Sequence, residues 1–250
     1  MGVIEQAGRR VWRKLPAAIR SRVNAALATR RDASWRKRRD LGDLRRTTPF
    51  STWGSSRGGS IARVYIEQFL TTRAEDIRGR VLEIAGDEYV RKFGKGVTRV
   101  DILDVLEGNE RATIVADLAN APGIPDNTFD CVLVTQVLSW IYDVRAPMRT
   151  AHRILVPGGV LLATTPGIAR IAPVEAELFG EWWHFTSMSA ERVAAEVFGD
   201  GNVEARSFGN VLAAAGYLYG LGTDDVSPAE LAVHDPAFEV VVALRALKGA

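Results

Sequence analysis

The stretch Val81-Leu82-Glu83-Ile84-Ala85-Gly86-Asp87 is an apolar run that ends in an acid and a glycine. Three further stretches follow it in order: IVADL at 114–118, FDCVLVTQVL at 129–138 and HRILVPGGVLLATTP at 152–166. Each holds an apolar strand, and two carry an acid at a strand boundary. The third passes through Pro157-Gly158-Gly159, read as the turn into the fifth strand. Apolar strands that end in acids and glycines, spaced widely enough for helices between them, predict a doubly wound α/β domain. Such a domain places its ligand crevice at the carboxyl ends of the strands.

Working outward, strands are expected near 80–85, 97–102, 112–117, 129–135, 158–164, 202–208 and 237–246. Helices are expected near 61–75, 143–155, 188–198 and 209–219. This alternation argues for a mostly parallel sheet with helices on both faces. The expected domain runs 61–250, preceded by a turn-rich linker or lid at 47–60, TTPFSTWGSSRGGS. Before that lies a helical arm, 1–46. Val11, Leu15, Ile19, Val23 and Leu27 recur in it at four-residue spacing, with Arg and Lys on the other faces.

The net charge of +2 conceals an asymmetry. Residues 1–50 carry fourteen Lys and Arg against four acids, for +10, and the remaining 200 residues carry −8. Two readings of the arm stand: a docking element for an acidic partner or anionic membrane surface, or a solvated helix packed on the domain. The acidic body counts against nucleic acid as a partner. Cys131 is the only cysteine and lies in the apolar run CVLV, so it reads as an inert buried thiol. No apolar stretch reaches the roughly 18 residues a membrane-spanning helix needs. The basic amino terminus lacks the apolar core of a signal peptide, and the expected location is cytoplasmic, with the inner membrane surface open as a peripheral site.

These motifs, with PFSTWGSSRGGSIARVYIEQFL, DIRGRVLEIAGDEYVRKFG and EWWHFTSMSAERV, resemble the class I S-adenosylmethionine-dependent methyltransferases. The resemblance is to a bacterial methyltransferase-domain branch, type 11-like, that is often found with glycosyltransferases. It implies a Rossmann-like seven-stranded sheet with an antiparallel last strand, and S-adenosyl-L-methionine as cofactor. It also implies a cofactor site built from Glu83, Ala85, Gly86, Asp101, Asp117, Leu118 and Gln136. Gly86 would admit the cofactor close to the backbone, and Glu83 would accept from its ammonium group. Asp101, with Asp104 as the alternative, would take both ribose hydroxyls, since a carboxylate accepts two hydrogen bonds at once. Asp117 would accept from the adenine amino group while Leu118 covers the ring. Gln136, closing the fourth strand, would face the methionine part or the acceptor. The family carries three glycines in the first turn, where this chain keeps only Gly86 followed by Asp87-Glu88-Tyr89.

Methyl transfer to a hydroxyl requires alignment of acceptor and methyl and removal of a proton. Of His152, His184 and His234, His184 is the candidate base, because aromatic residues flank it on a segment positioned to cap an acceptor pocket. The branch places arginine at this position, which favours a structural role instead. Trp53, Trp182, Trp183 and Tyr65 read either as stacking partners for an acceptor or as core and lid packing. Asp224-Asp225 is a lone acid pair, and no metal is expected. The resulting expectation is an O-methyltransferase for a sugar, glycan or other small-molecule hydroxyl. The alternative is a catalytically silent binding protein of the same fold that docks a glycosyltransferase or a membrane surface.

Overall fold

The structure, a computed structural model, describes residues 45–249. The arm at 1–46 lies almost wholly outside these residues. In chain order the elements are α1 (Ile61–Thr72), β1 (Gly79–Ile84), α2 (Glu88–Phe93), β2 (Val97–Asp104), β3 (Ile114–Val115), β4 (Phe129–Thr135) and α3 (Arg145–Ile154). Then come β5 (Leu155–Pro166), α4 (Pro173–Phe179), α5 (Ser187–Phe198), β6 (Val203–Phe208), α6 (Val211–Tyr219), α7 (Pro228–Leu231) and β7 (Val241–Leu247).

The strands form one seven-stranded sheet in the order β3-β2-β1-β4-β5-β7-β6. Pairings among β1 to β5 are parallel, while β7 runs antiparallel to both β5 and β6. The expected antiparallel last strand is therefore present, inserted between β5 and β6. The strand order reverses between β1 and β4, which marks the switch point where such sheets bind ligands.

Side-chain alternation divides the apolar strands between two cores. Leu82, Val132, Val134, Leu161 and Ala163 face one cluster with Met148, Ile154 and Phe198 from α3 and α5. Val81, Cys131, Leu133, Val160 and Leu162 face the other with Ile61, Tyr65 and Phe69 from α1. Because helices cover both faces, the central strands read as continuous apolar runs instead of an alternating pattern. Cys131 is fully buried, and burial pushes its thiol up beyond the range in which it would ionise at neutral pH.

Three boundaries differ from expectation. β3 shrinks to two residues, because Thr113 turns its hydroxyl to accept the Ile102 N–H at 2.9 Å on this edge strand. Pro157-Gly158-Gly159 lies inside β5 and is not a turn before it; the register against β4 shifts there, between Phe129 and Cys131. The helix after His184 starts at Ser187, one residue before the expected 188, and is capped by Thr186, whose side chain accepts from the Ser189 N–H while Ser189 answers in a reciprocal capping box.

Segment 48–60 is tied down along its length. Phe50 N–H donates to the Tyr219 carbonyl at 2.7 Å, and Ser51 Oγ donates to the Gly220 carbonyl at 2.8 Å. Arg57 pairs with Asp225, and Ser60 bridges to Gly222. The segment belongs to the same compact unit, Thr48–Ala250, as the sheet. It is a strap across α6 and the loop that follows, not a free linker. Among the described residues no helix is long and apolar enough to cross a membrane.

Candidate active site

The carboxyl ends of β3, β2, β1 and β4 form one continuous lip. Ile84 pairs with Leu103, and Asp104 pairs with Val115. At or shortly past these strand ends stand Ala85, Asp104, Asp117 and Gln136, on neighbouring strands of the sheet. Ala85 and Gln136 flank the switch point, and both have left-handed backbones, at φ 64° and φ 60°. Such a conformation is costly for a residue other than glycine. It persists where the surroundings enforce it, often at functional sites. The Ala85 N–H donates to the Leu103 carbonyl and the Gln136 N–H to the Thr164 carbonyl, at 2.8 and 2.7 Å, which hold both turns.

Asp104 closes β2 at this lip. Its Oδ2 accepts from Asn109 Nδ2 at 2.7 Å, and the same Asn109 amide donates to the Ala85 carbonyl at 3.0 Å. Asn109 thus staples the β1 turn to the β2 acid. Asp101 does not reach the lip. It pairs with Leu82 in mid-strand, three residues or roughly 10 Å short of the end of β2. It is 1% exposed and held by Arg80 and Arg99 at 2.7 and 2.8 Å. Burial opposes its ionisation, but the two guanidinium groups prevail and keep its carboxyl below the usual range. Asp101, the favoured candidate, therefore does not face the crevice, and Asp104 is the acid that stands at the end of β2.

Glu83 also differs from expectation. It is 2% exposed, and its two carboxylate oxygens accept the Tyr89 and Val90 N–H groups at 3.2 and 2.8 Å. It serves the unsatisfied amino-terminal amides of α2 and is sealed from any ligand ammonium. Burial pushes its carboxyl up to about 7, even though those amide donors pull the other way. At Gly86 a Cβ would lie 2.1 Å from Glu88 Oε2, the far end of a side chain that must turn away to open this space. Arg111, from the β2–β3 loop, bridges Asp87 and Glu88 and holds that carboxylate in place. Asp117 is exposed, with Oδ1 accepting the Ala119 N–H at 2.8 Å. Leu118 is 4% exposed and packs in the core with Ala121 and Ile124, so it is a structural residue and not a ring cover.

Residues 58–163 match the model of the family described as "Methyltransferase domain". This is the span from the strap through β5, and it holds every lip residue. Residues 58–163 are a methyltransferase domain. No curated relative matches the sequence. Among solved structures, a SAM-dependent methyltransferase from Archaeoglobus fulgidus aligns at 13% identity and TM-score 0.50, over 76% of this chain and 95% of that one. A phosphoethanolamine N-methyltransferase 2 from Haemonchus contortus, bound to phosphomonomethylethanolamine and S-adenosylhomocysteine, aligns at 16% identity and TM-score 0.50. That alignment covers 79% of this chain and 55% of that one. The [4+2]-cyclase SpnF aligns at 16% identity and TM-score 0.51, over 81% and 86%. The fold is thus that of the class I S-adenosylmethionine-dependent methyltransferases, whose cofactor is S-adenosylmethionine.

The lip of the methyltransferase domain fits a ribose-bearing cofactor. Asp104 stands at the switch-point lip as a fixed, partly exposed acceptor for a vicinal diol. The space over Gly86 is closed only by the far end of the flexible Glu88 side chain. Beside the lip, a cavity of about 170 Å³ opens next to Gln136, between the strap, β5 and α4. Trp53, Trp140, Arg170, Glu175 and Glu181 line it with Gln136. Gln136 Nε2 donates to Thr164 Oγ1 at 3.3 Å.

His184 is not among the cavity-lining residues. Its Nε2 lies 2.9 Å from Oε1 of Glu181, whose side chain is only 5% exposed and does line the cavity. The other Glu181 oxygen accepts the Ala172 N–H at 2.7 Å. Sequence reasoning missed Glu181, and also Arg111, Asn109 and Arg170, because nothing local marks them. Each acts through a partner elsewhere in the chain. Trp182 and Trp183 pack on Tyr142, with ring centroids at 5.1 and 6.2 Å, outside the cavity. Tyr65 stacks on Phe208 in the core. His152 meets Phe198 edge-on at 5.1 Å, a packing role. Asp225 is the counter-ion of Arg57.

Proposed function

We propose that the protein transfers a methyl group from S-adenosylmethionine to a hydroxyl of a small molecule, on a sugar or glycan. The observation that carries this reading is the cavity at the switch point, with Glu181 in its wall and His184 bonded behind it. The sugar preference rests on the resemblance to the branch found with glycosyltransferases. S-adenosylmethionine, when bound, supplies a methyl group on a positively charged sulfur. Asp104 holds the ribose hydroxyls and Asp117 accepts from the adenine amino group. The Ala85–Gly86 turn meets the amino-acid end once Glu88 swings aside. Gln136 orients the acceptor. Glu181 takes the proton of the acceptor hydroxyl, and His184 positions the Glu181 carboxylate. The site lies in a cytoplasmic protein whose basic arm docks an acidic partner, such as a glycosyltransferase, or an anionic membrane.

Calorimetric titration with S-adenosylhomocysteine tests the cofactor half, and turnover with an identified acceptor tests the catalytic half. Glu181→Gln is expected to lower kcat by about 10²–10⁴-fold, with cofactor affinity unchanged. Unchanged kcat removes Glu181 from the mechanism. A second reading, a silent binding protein, is favoured by one observation: Arg111 pins Glu88 over Gly86, where the family keeps open glycines. Absence of homocysteine-cofactor binding at millimolar concentration, in folded protein, selects that reading.

A further inference from the structure

Among the described residues, Arg170 carries a charge that no acid of the domain answers. Its Nε is buried without a hydrogen-bond partner, and no ion pair among the described residues engages its guanidinium. The group lies 4.3 Å from the centroid of the Trp53 ring, in the wall of the cavity beside Gln136. A buried Nε–H without an acceptor is unfavourable, and the Trp53 ring face offers the guanidinium a cation–π contact but no hydrogen-bond acceptor. Its placement is enforced from behind. The Gly167 and Ile168 N–H groups bond to the Val240 and Glu239 carbonyls at 3.1 and 2.7 Å, so the loop that carries Arg170 is anchored to the start of β7.

Two carboxylates line the same cavity, Glu175 from α4 and Glu181. Neither pairs with Arg170. The cavity thus presents a planar fork of donors, separate carboxylate acceptors, and the indole rings of Trp53 and Trp140. An anionic ligand would satisfy Arg170 but face both carboxylates. A cationic ligand would face Arg170. A neutral ring with adjacent hydroxyls meets every group: oxygens accept from the fork, hydroxyl hydrogens donate to carboxylates, and a C–H face lies on indole. A volume of about 170 Å³ holds one such ring.

We propose that this cavity is the acceptor subsite and that Arg170, its guanidinium held over the Trp53 ring of the strap, reads a vicinal diol on a neutral monosaccharide unit. The inference deepens the methyltransferase reading and rests on it for the ring's fate, but not for its binding.

Saturation-transfer NMR on the full chain tests it, with the methyl glycosides of glucose, galactose and mannose as neutral probes. Methyl glucuronoside and methyl glucosaminide serve as the charged ones. At least one neutral glycoside is expected to bind. Arg170→Lys keeps the charge and loses the fork, and should weaken that glycoside by about tenfold or more with an unchanged melting temperature. Glu175→Gln, on the rim helix, should weaken it several-fold and serves if Arg170→Lys unfolds. Three results overturn the proposal: no neutral glycoside binds, Arg170→Lys binds as the parent does, or the glucuronoside binds more tightly than every neutral probe. Parallel calorimetry with S-adenosylhomocysteine separates the two claims. Cofactor binding without glycoside binding removes the subsite and leaves the methyltransferase. Glycoside binding without cofactor binding supports the subsite and removes the transferase.

Discussion

Asp101 and Asp104 lie three residues apart on one strand, and they separate two kinds of contribution. Asp104→Asn is expected to weaken S-adenosylhomocysteine binding by about 1–3 kcal/mol without lowering the melting temperature. Asp101→Asn should do the reverse. It strips Arg80 and Arg99 of a shared, 1% exposed counter-ion and costs about 1–3 kcal/mol of stability, discounted for the exposure of both arginines. Calorimetry and denaturant melts on the two variants decide the assignment. Glu83 yields a pH prediction. Burial raises its folded-state pKa to about 7, above its value in the unfolded chain. The folded state therefore holds a proton that the unfolded state releases. This contribution to stability is fully present below the unfolded pKa and is lost as pH rises through about 7. Melting curves from pH 5 to 8 should show the parent losing stability relative to Glu83→Gln, by roughly 3 kcal/mol at most. A parallel pair of curves would place the Glu83 pKa in the ordinary range. Sequence alone left Asp101 and Asp104 open because both are acids in one polar-flanked strand. The register against β1 decides which of them meets the crevice.

At the scale of elements, the strap at 48–60 is the feature that composition misrepresents. Its Gly, Ser and Thr content reads as a linker, yet it carries Trp53 into the cavity wall and Arg57 onto Asp225. The contact that fixes it is backbone on backbone. At Gly220 the chain has φ +72°, and a Cβ would lie 2.1 Å from the Ser51 carbonyl oxygen. Gly220→Ala should destabilise the domain by about 1–3 kcal/mol and speed proteolysis within 48–60. Arg57→Ala, which breaks a partly exposed pair, should cost no more than about 1 kcal/mol. Equal, small losses in both would mean that the strap is held by side chains instead. Helix α2 carries the same lesson. Six residues are too few to signal a helix by periodicity, and α2 exists because Glu83 satisfies its amino-terminal amides from inside the domain.

For the whole molecule, the charge split between arm and body predicts that the two are separable. Deleting residues 1–46 should leave the melting transition and S-adenosylhomocysteine affinity intact, while abolishing salt-sensitive sedimentation with anionic vesicles. Full-length protein that ignores such vesicles at low salt removes the membrane as a partner. Unfolding on deletion would make the arm part of the domain. The α/β class and the order of the strands along the chain were legible in the residues, and the antiparallel strand at the end of the sheet was expected from the family resemblance alone. Strands buried on both faces must be continuously apolar, and the Gly and Pro signals between them survive any detail of packing. The strand ends near Ala85, Asp117 and Gln136 were legible, because strand ends are local events. The acceptor side was not. Trp53 stood among four aromatics with two open readings, while Arg170 and Glu181 come from a loop and a post-helical turn more than 100 residues from it, and no local pattern marks a residue whose partner is set by the folding of distant chain. Which acid faces the crevice, which carboxylate lines the cavity and which arginine is left unpaired follow from register and burial, and those exist only once the sheet has closed.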